Sequence, residues 1–347
     1  MRRSIVPVLV LCMLFLSGCM QNTQNTDTIP DDYTVGIIRT NGSKNRSDIL
    51  YFDEKLSQTG ATHYDYATMG DLFYTPVTYD GSLYVVPQGQ ANAKDAKTIL
   101  CQDLNTFEQT TFFLDQIAIY GLSVNSSAIF AANNINQQSF ISRIDRTNET
   151  VKTATYNGLY VSIVYSYQDK LYAFSSKSIS SGLKGTLHCL DPITLKELQR
   201  IDISEFGSDV YSVLGVDDIL YFVPLVTPQD TFNHIVCAYN ISSEEITTIE
   251  FPHHVFHILN MDNKLYVTHG NLVTGEGTAL SIFDIETGKI DTYDLGMWPG
   301  QIVINDDALY LMGTSNVAKY DLQTMEKEAE TEIPLDSGNY LSGIFTK

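Results

Sequence analysis

One unit recurs along this chain, and its spacing leaves few folds open. A short strand carrying Leu-Tyr is followed by a polar turn, a strand that ends in Asp or Asn, and then a more polar strand. The paired residues are Leu83-Tyr84, Leu171-Tyr172, Leu220-Tyr221, Leu265-Tyr266 and Leu309-Tyr310, with Ile129-Phe130 as a variant. The strand-ending positions are Asp53, Asp103, Asp145, Asp191, Asn240, Asp284 and Asp321, separated by 50, 42, 46, 49, 44 and 37 residues. A four-stranded propeller blade needs about 40–50 residues, so seven such positions predict seven blades. The expected fold is all-β: a seven-bladed β-propeller of four-stranded antiparallel blades over residues 34–347.

The third unit displays its strands most openly. Tyr120 to Val124 is the expected innermost strand, Ala128 to Ala132 the second, Phe140 to Asp145 the third and Val151 to Tyr156 the fourth. Each has strand length, β-branched or aromatic residues and polar punctuation. The turns ahead of the Leu-Tyr strands are Asp80-Gly81, Asn125-Ser126, Asp169-Lys170, Asp217-Asp218, Asp262-Asn263 and Asp306-Asp307. Asp and Asn tolerate the left-handed backbone of tight hairpins, so these acids read as turn chemistry before calcium ligands. The ends match as well. The first unit opens at Val35 with a second-type strand and lacks an innermost one, whereas Asn339 to Phe345 is a leftover innermost strand. A ring closed by that C-terminal strand completes the first blade and leaves no open edge.

The Leu-Tyr strand, the Asp-ended strand and the tail Asp284 to Lys289 (DIETGK) resemble the WD40-like/YVTN propeller superfamily of bacterial surface proteins. The resemblance spans roughly residues 34 to 347 and implies a fold, not an activity. Quinoprotein propellers are similar in an Asp-x-x-Thr-Gly-Lys tail followed by tryptophan. The single tryptophan here, Trp298, lies elsewhere, and no cofactor is expected.

The N-terminus gives an address. Met1-Arg2-Arg3 is a positive n-region, and Ile5 to Phe15 is apolar but too short to span a bilayer. Leu16-Ser17-Gly18-Cys19 resembles the bacterial lipobox, which implies a signal peptide over residues 1–19 and a diacylglyceryl anchor on Cys19. Two acyl chains hold a protein at a membrane where one does not. Residues 20–33 are polar and read as a flexible tether. The implied location is the extracytoplasmic face of a membrane, at a Gram-positive surface or in a Gram-negative envelope. Loss of Arg2 and Arg3 leaves 19 basic against 41 acidic residues, a charge of 19 − 41 = −22. That excludes general nucleic-acid binding, which needs a basic surface. The chain is expected to be a monomer.

Chemistry motifs are sparse. His253, His254 and His257 fall close together, but four residues of strand separate side chains by about 13 Å, too far to share one ion. Ser181 to Lys184 matches Ser-x-x-Lys, yet it lies in a Ser/Gly-rich hairpin loop (Ser175 to Gly185) without its partner motifs. Cys101, Cys189 and Cys237 show no CxxC spacing and read as buried thiols. No catalytic residue and no metal site is assigned.

Counting back from the Leu-Tyr strands places Tyr74, Tyr120, Tyr211 and Phe256 at one level of the innermost strands. Tyr160, Trp298 and Tyr340 lie near that level, with His257 beside Phe256. Such rings either line a mouth suited to a sugar, peptide or aromatic ligand, or pack between blades. The leading expectation is a lipid-anchored binding or protein-interaction scaffold with a protein, peptide or carbohydrate ligand. The alternative is a surface hydrolase or lyase with its site at the mouth of the ring.

Overall fold

The computed structural model describes residues 27–30, 32–88, 95–180, 182–229, 231–271 and 274–347. Cys19, the signal segment and Ser181 lie outside them. Seven four-stranded antiparallel sheets form the blades of a β-propeller. In blade 3 the strands run Ile119–Val124, Ala128–Ile135, Gln138–Asp145 and Val151–Asn157, from the axis outwards. Blades 4 to 7 repeat this order, beginning with the inner strands Tyr160–Tyr167, Ser208–Val216, Val255–Met261 and Gln301–Asn305. Blade 1 is assembled from both ends of the chain. Its inner strand is Tyr340–Thr346, which pairs antiparallel with Val35–Asn41.

The Leu-Tyr dipeptide is explained by the layers between blades. Successive strand residues point to opposite faces, and a strand near the middle of a blade has a neighbouring blade on each side. Leu171 therefore packs in the layer between blades 3 and 4, and Tyr172 in the layer between blades 4 and 5. Leu220 and Tyr221 divide in the same way one blade further on, and Leu265 and Tyr266 after them. The pair is the signature of a strand buried on both faces.

Six of the seven strand-ending residues make one recurring turn, and the turn at Asp53 is one residue shorter, with Leu56 left-handed (φ 59°). Asp191 Oδ1 accepts the backbone N–H groups of Ile193 and Thr194 and the Thr194 hydroxyl. Asp321 repeats this with Gln323 and Thr324. The residue four places on is left-handed, as at Leu195 (φ 57°), Met325 (φ 58°) and Gly288 (φ 71°). These acids are spent on backbone.

The hairpins before the Leu-Tyr strands follow expectation at Asp80, Asp217, Asp262 and Asp306, all with positive φ. In blade 4 the left-handed residue is Gln168, one place earlier than expected. At Asn125 the side chain closes the turn instead, its Oδ1 accepting from Ser127 and Ala128 N–H. The Ser/Gly-rich stretch is also not a loop. Lys170–Ile179 and Gly182–Leu190 stay paired out to Ile179 and Gly182, making a long hairpin. The expected tether ends in contacts with blades 1 and 2. Thr28 bridges Ala61, and buried Tyr33 donates its hydroxyl to Leu104 O.

Candidate functional site

The face where inner strands begin is termed upper here, and the opposite face lower. At the upper face the inner strands of blades 3 to 6 share an irregularity. Their pairing to the second strand is interrupted between Ile119 and Leu122, Val161 and Ile163, Val210 and Ser212, and Val255 and Ile258. A bulge re-aims the extra residue. The residues so displaced are Tyr120 and Gly121, Ser162, Tyr211, and Phe256 with His257. In blade 4 the displaced residue is thus Ser162, two places beyond Tyr160, which starts its strand.

Blade 2 breaks the pattern, and its departure closes the ring's axis. Its inner strand is only Val77–Tyr79. The residues ahead of it leave the blade and cross the upper end of the channel. Gly70 makes the turn, with φ +96° and so close to Ser342 O that a Cβ would lie 2.6 Å from it. Asp71 Oδ1 then accepts Phe73 N–H at 2.7 Å, fixing a tight loop. That loop bonds to blades across the ring. The buried Gln301 amide in blade 7 donates to Asp71 O at 2.8 Å and Tyr74 O at 3.2 Å. His257 Nε2 in blade 6 donates to Leu72 O at 3.2 Å. The Tyr74 hydroxyl donates to Ser162 O in blade 4 at 2.7 Å. Tyr74 is therefore part of a crossing segment, not the first residue of an inner strand.

The aromatic side chains meet around this segment. Phe73 lies 4.9 Å from Tyr211 and 6.4 Å from Phe256, ring centre to ring centre. Tyr74 is 5.6 Å from Tyr211, Tyr120 is 6.3 Å from Tyr160, and Phe256 is 6.4 Å from Trp298. Two of the expected residues have no face to offer, since Phe256 is 2% and His257 5% exposed. Tyr74, Tyr120, Tyr160 and Tyr211 are half-buried, and Tyr340 is 40% exposed. Trp298 precedes its strand, and its indole N–H is buried without a partner. Phe73 carries no Leu-Tyr register, so counting from those strands does not find it.

Burial sets the charge states. It raises the phenols of Tyr74, Tyr160 and Tyr211, keeping them neutral donors. It raises the Asp71 carboxyl against the opposing Phe73 N–H bond. It lowers His257 to about 4, so the imidazole is neutral. Beneath the segment the channel remains as a cavity of about 330 Å³, running between the inner strands of blades 2 to 6.

One array resembles a hydrolytic triad. Ser175 Oγ lies 2.8 Å from His188 Nε2, and His188 Nδ1 lies 2.7 Å from Glu197 Oε2. The serine is only 4% exposed and stands inside blade 4, where no substrate carbonyl could reach it. Blade 6 holds a similar chain, His269 Nε2 to Ser281 Oγ (2.7 Å) and on to Thr292 Oγ1 (2.8 Å). Both chains satisfy polar groups between strands of a blade. Among the described residues, no three His, Cys, Asp or Glu side chains stand ready around a metal ion. Cys189 and Cys237 are buried and Cys101 half-buried, all as free thiols.

No known family profile and no characterised sequence matches the chain. Solved structures do match in shape. The dihydro-heme d1 dehydrogenase NirN, in complex with DHE, superposes with a TM-score of 0.57 at 9% identity, over 92% of this chain and 76% of that one. Apo AztD from Citrobacter koseri gives 0.55 at 10% identity, over 91% and 99%. BamB from Moraxella catarrhalis gives 0.51 at 10% identity, over 92% and 95%. At such identities the likeness is one of fold, and the chain is a seven-bladed β-propeller with its axis closed at one end by its own backbone.

Proposed function

We propose that the protein is a lipid-anchored, extracytoplasmic binding propeller that presents its upper face to a protein, peptide or carbohydrate partner. The observation that carries this reading is the closed mouth. The crossing segment turns the end of the channel into a floor, and half-exposed tyrosines surround it. Rings with a flat apolar face and a hydroxyl edge suit sugars and peptide side chains alike. BamB and AztD resemble this chain in fold at 10% identity, which is compatible with a scaffold role and adds no partner.

The platform is tested on peptide and glycan arrays with the purified domain. Tyr160→Ala combined with Tyr340→Ala should weaken binding at least tenfold, with a melting temperature within a few degrees of the parent, as expected of partly exposed positions. A double variant that binds as the parent does would remove the upper face from consideration. The anchor is tested separately. Cys19→Ala should abolish labelling by a fatty-acid probe and leave a soluble or uncleaved precursor. Undiminished labelling would overturn the lipobox reading.

A further inference from the structure

A second cavity lies away from the axis. It opens on the upper face between blades 5 and 6, encloses about 610 Å³, and contains none of the aromatic side chains around the mouth. Four of the seven histidines reach it, His234, His253, His254 and His269, although 35 residues separate the first from the last. The His234 and His254 rings lie 4.6 Å apart at 38°, and those of His253 and His269 lie 5.5 Å apart at 66°.

The walls are rich in acceptors and hold no cation. Glu276 and Asp294 line the cavity, and no lysine or arginine does. Among the described residues neither carboxylate forms an ion pair. Asp294 Oδ1 accepts the Thr278 hydroxyl at 2.7 Å and Gly296 N–H at 3.0 Å, which hold its carboxyl below the usual range. Burial, then the neighbouring His234 and His253, lower His254. Its Nδ1 is buried without a hydrogen-bond partner. Four imidazoles, of which burial keeps those of His254 and His269 neutral, the Tyr293 ring and two carboxylates therefore face one space, within a chain of formal charge −20. The carboxylates repel an anion, and no lysine or arginine lines the space to hold one. A flat cation that donates hydrogen bonds along its edge has ring faces to stack on and carboxylates to reach.

We infer that this cavity binds a guanidinium group, carried either by a small guanidino compound or by an arginine side chain of a peptide. The planar cation stacks against the imidazole and phenol faces and donates to Asp294 and Glu276, and the cavity volume accommodates the attached chain. This site is independent of the tyrosines at the mouth.

Titration calorimetry with agmatine and with its ureido analogue, which keeps the shape and the terminal ammonium but loses the guanidinium charge, tests the inference directly. Agmatine should bind, weaken several-fold between 50 and 500 mM salt, and exceed the analogue at least tenfold. Asp294→Asn, and separately Glu276→Gln, should each lower its affinity about tenfold without moving the melting temperature, because both side chains are exposed. A short arginine peptide tighter than agmatine identifies a peptide partner, and the reverse identifies a small molecule. Equal binding of agmatine and its analogue, no binding of agmatine, or variants that bind as the parent does would each overturn the inference. Binding of glucose or Zn²⁺ in place of agmatine would overturn it as well.

Discussion

A chain truncated before Asn339 should fail to form a stable ring. The lost strand carries Leu341, Ile344 and Phe345, all buried, in the layers that blade 1 shares with blades 7 and 2. Removing three such side chains costs about 10 kcal/mol at about 2–5 kcal/mol each, comparable to the whole stability of an ordinary domain. The strand Val35–Asn41 would also be left with an open edge on the axial side. The expected product is aggregated, or unfolds without a cooperative transition. Phe345→Ala gives a graded version. The Phe345 ring lies where a side chain on Gly36 would stand, so the truncation leaves a true cavity and should cost about 3–5 kcal/mol in denaturant unfolding. A soluble truncated monomer melting within a few degrees of the parent would show that closure does not hold the ring together.

The second large effect is acid sensitivity. His257 and His269 are both buried, and burial lowers each from 6.5 to about 4. Between those values the unfolded chain binds protons that the folded chain refuses. Their contribution to stability is complete above pH 6.5 and is lost as pH falls towards 4. At about 1.4 kcal/mol per unit, each is worth roughly 3 kcal/mol, so stability should drop by about 6 kcal/mol from pH 7 to pH 4. His188 adds in the same direction, because burial outweighs its bond to Glu197. Asp71 opposes them, since its raised carboxyl takes up a proton more readily in the folded state. Urea unfolding at pH 7, 6, 5 and 4 measures the slope. His257→Gln, whose amide can still donate to Leu72 O, should remove about half of it. A flat profile down to pH 4.5 would contradict the assignment of two neutral buried imidazoles.

What the sequence discloses and what it conceals have physical causes. Leu171-Tyr172 and its counterparts are legible because a strand between two neighbours must bury consecutive residues, a demand no exposed strand makes. The closure is legible because a missing strand at Val35 and a spare one at Asn339 are both written in strand chemistry. The bulges are not written. They move the displaced position in blade 4 from Tyr160 to Ser162, and nothing in the local composition marks them. Tyr74 reads as the start of an inner strand, but the strand begins at Val77, since Gly70 steers the chain into the axis first. The histidine cavity gathers residues from five separate stretches, so only the blade geometry brings them together.

The crossing segment also changes what kind of mechanical object this is. Blades that touch only their neighbours make a hoop, and a hoop opens wherever one seam is weakest. Here a single loop is pinned to Ser162, His257 and Gln301, while the Ser342 hydroxyl holds Met69 O just ahead of it. The protein is a spoked wheel. Parting any seam of the rim loads the hub, and the hub is shared by blades 1, 4, 6 and 7. Local breathing of one blade is therefore coupled to the others, and the inner-strand amides should exchange with solvent only when the whole domain unfolds.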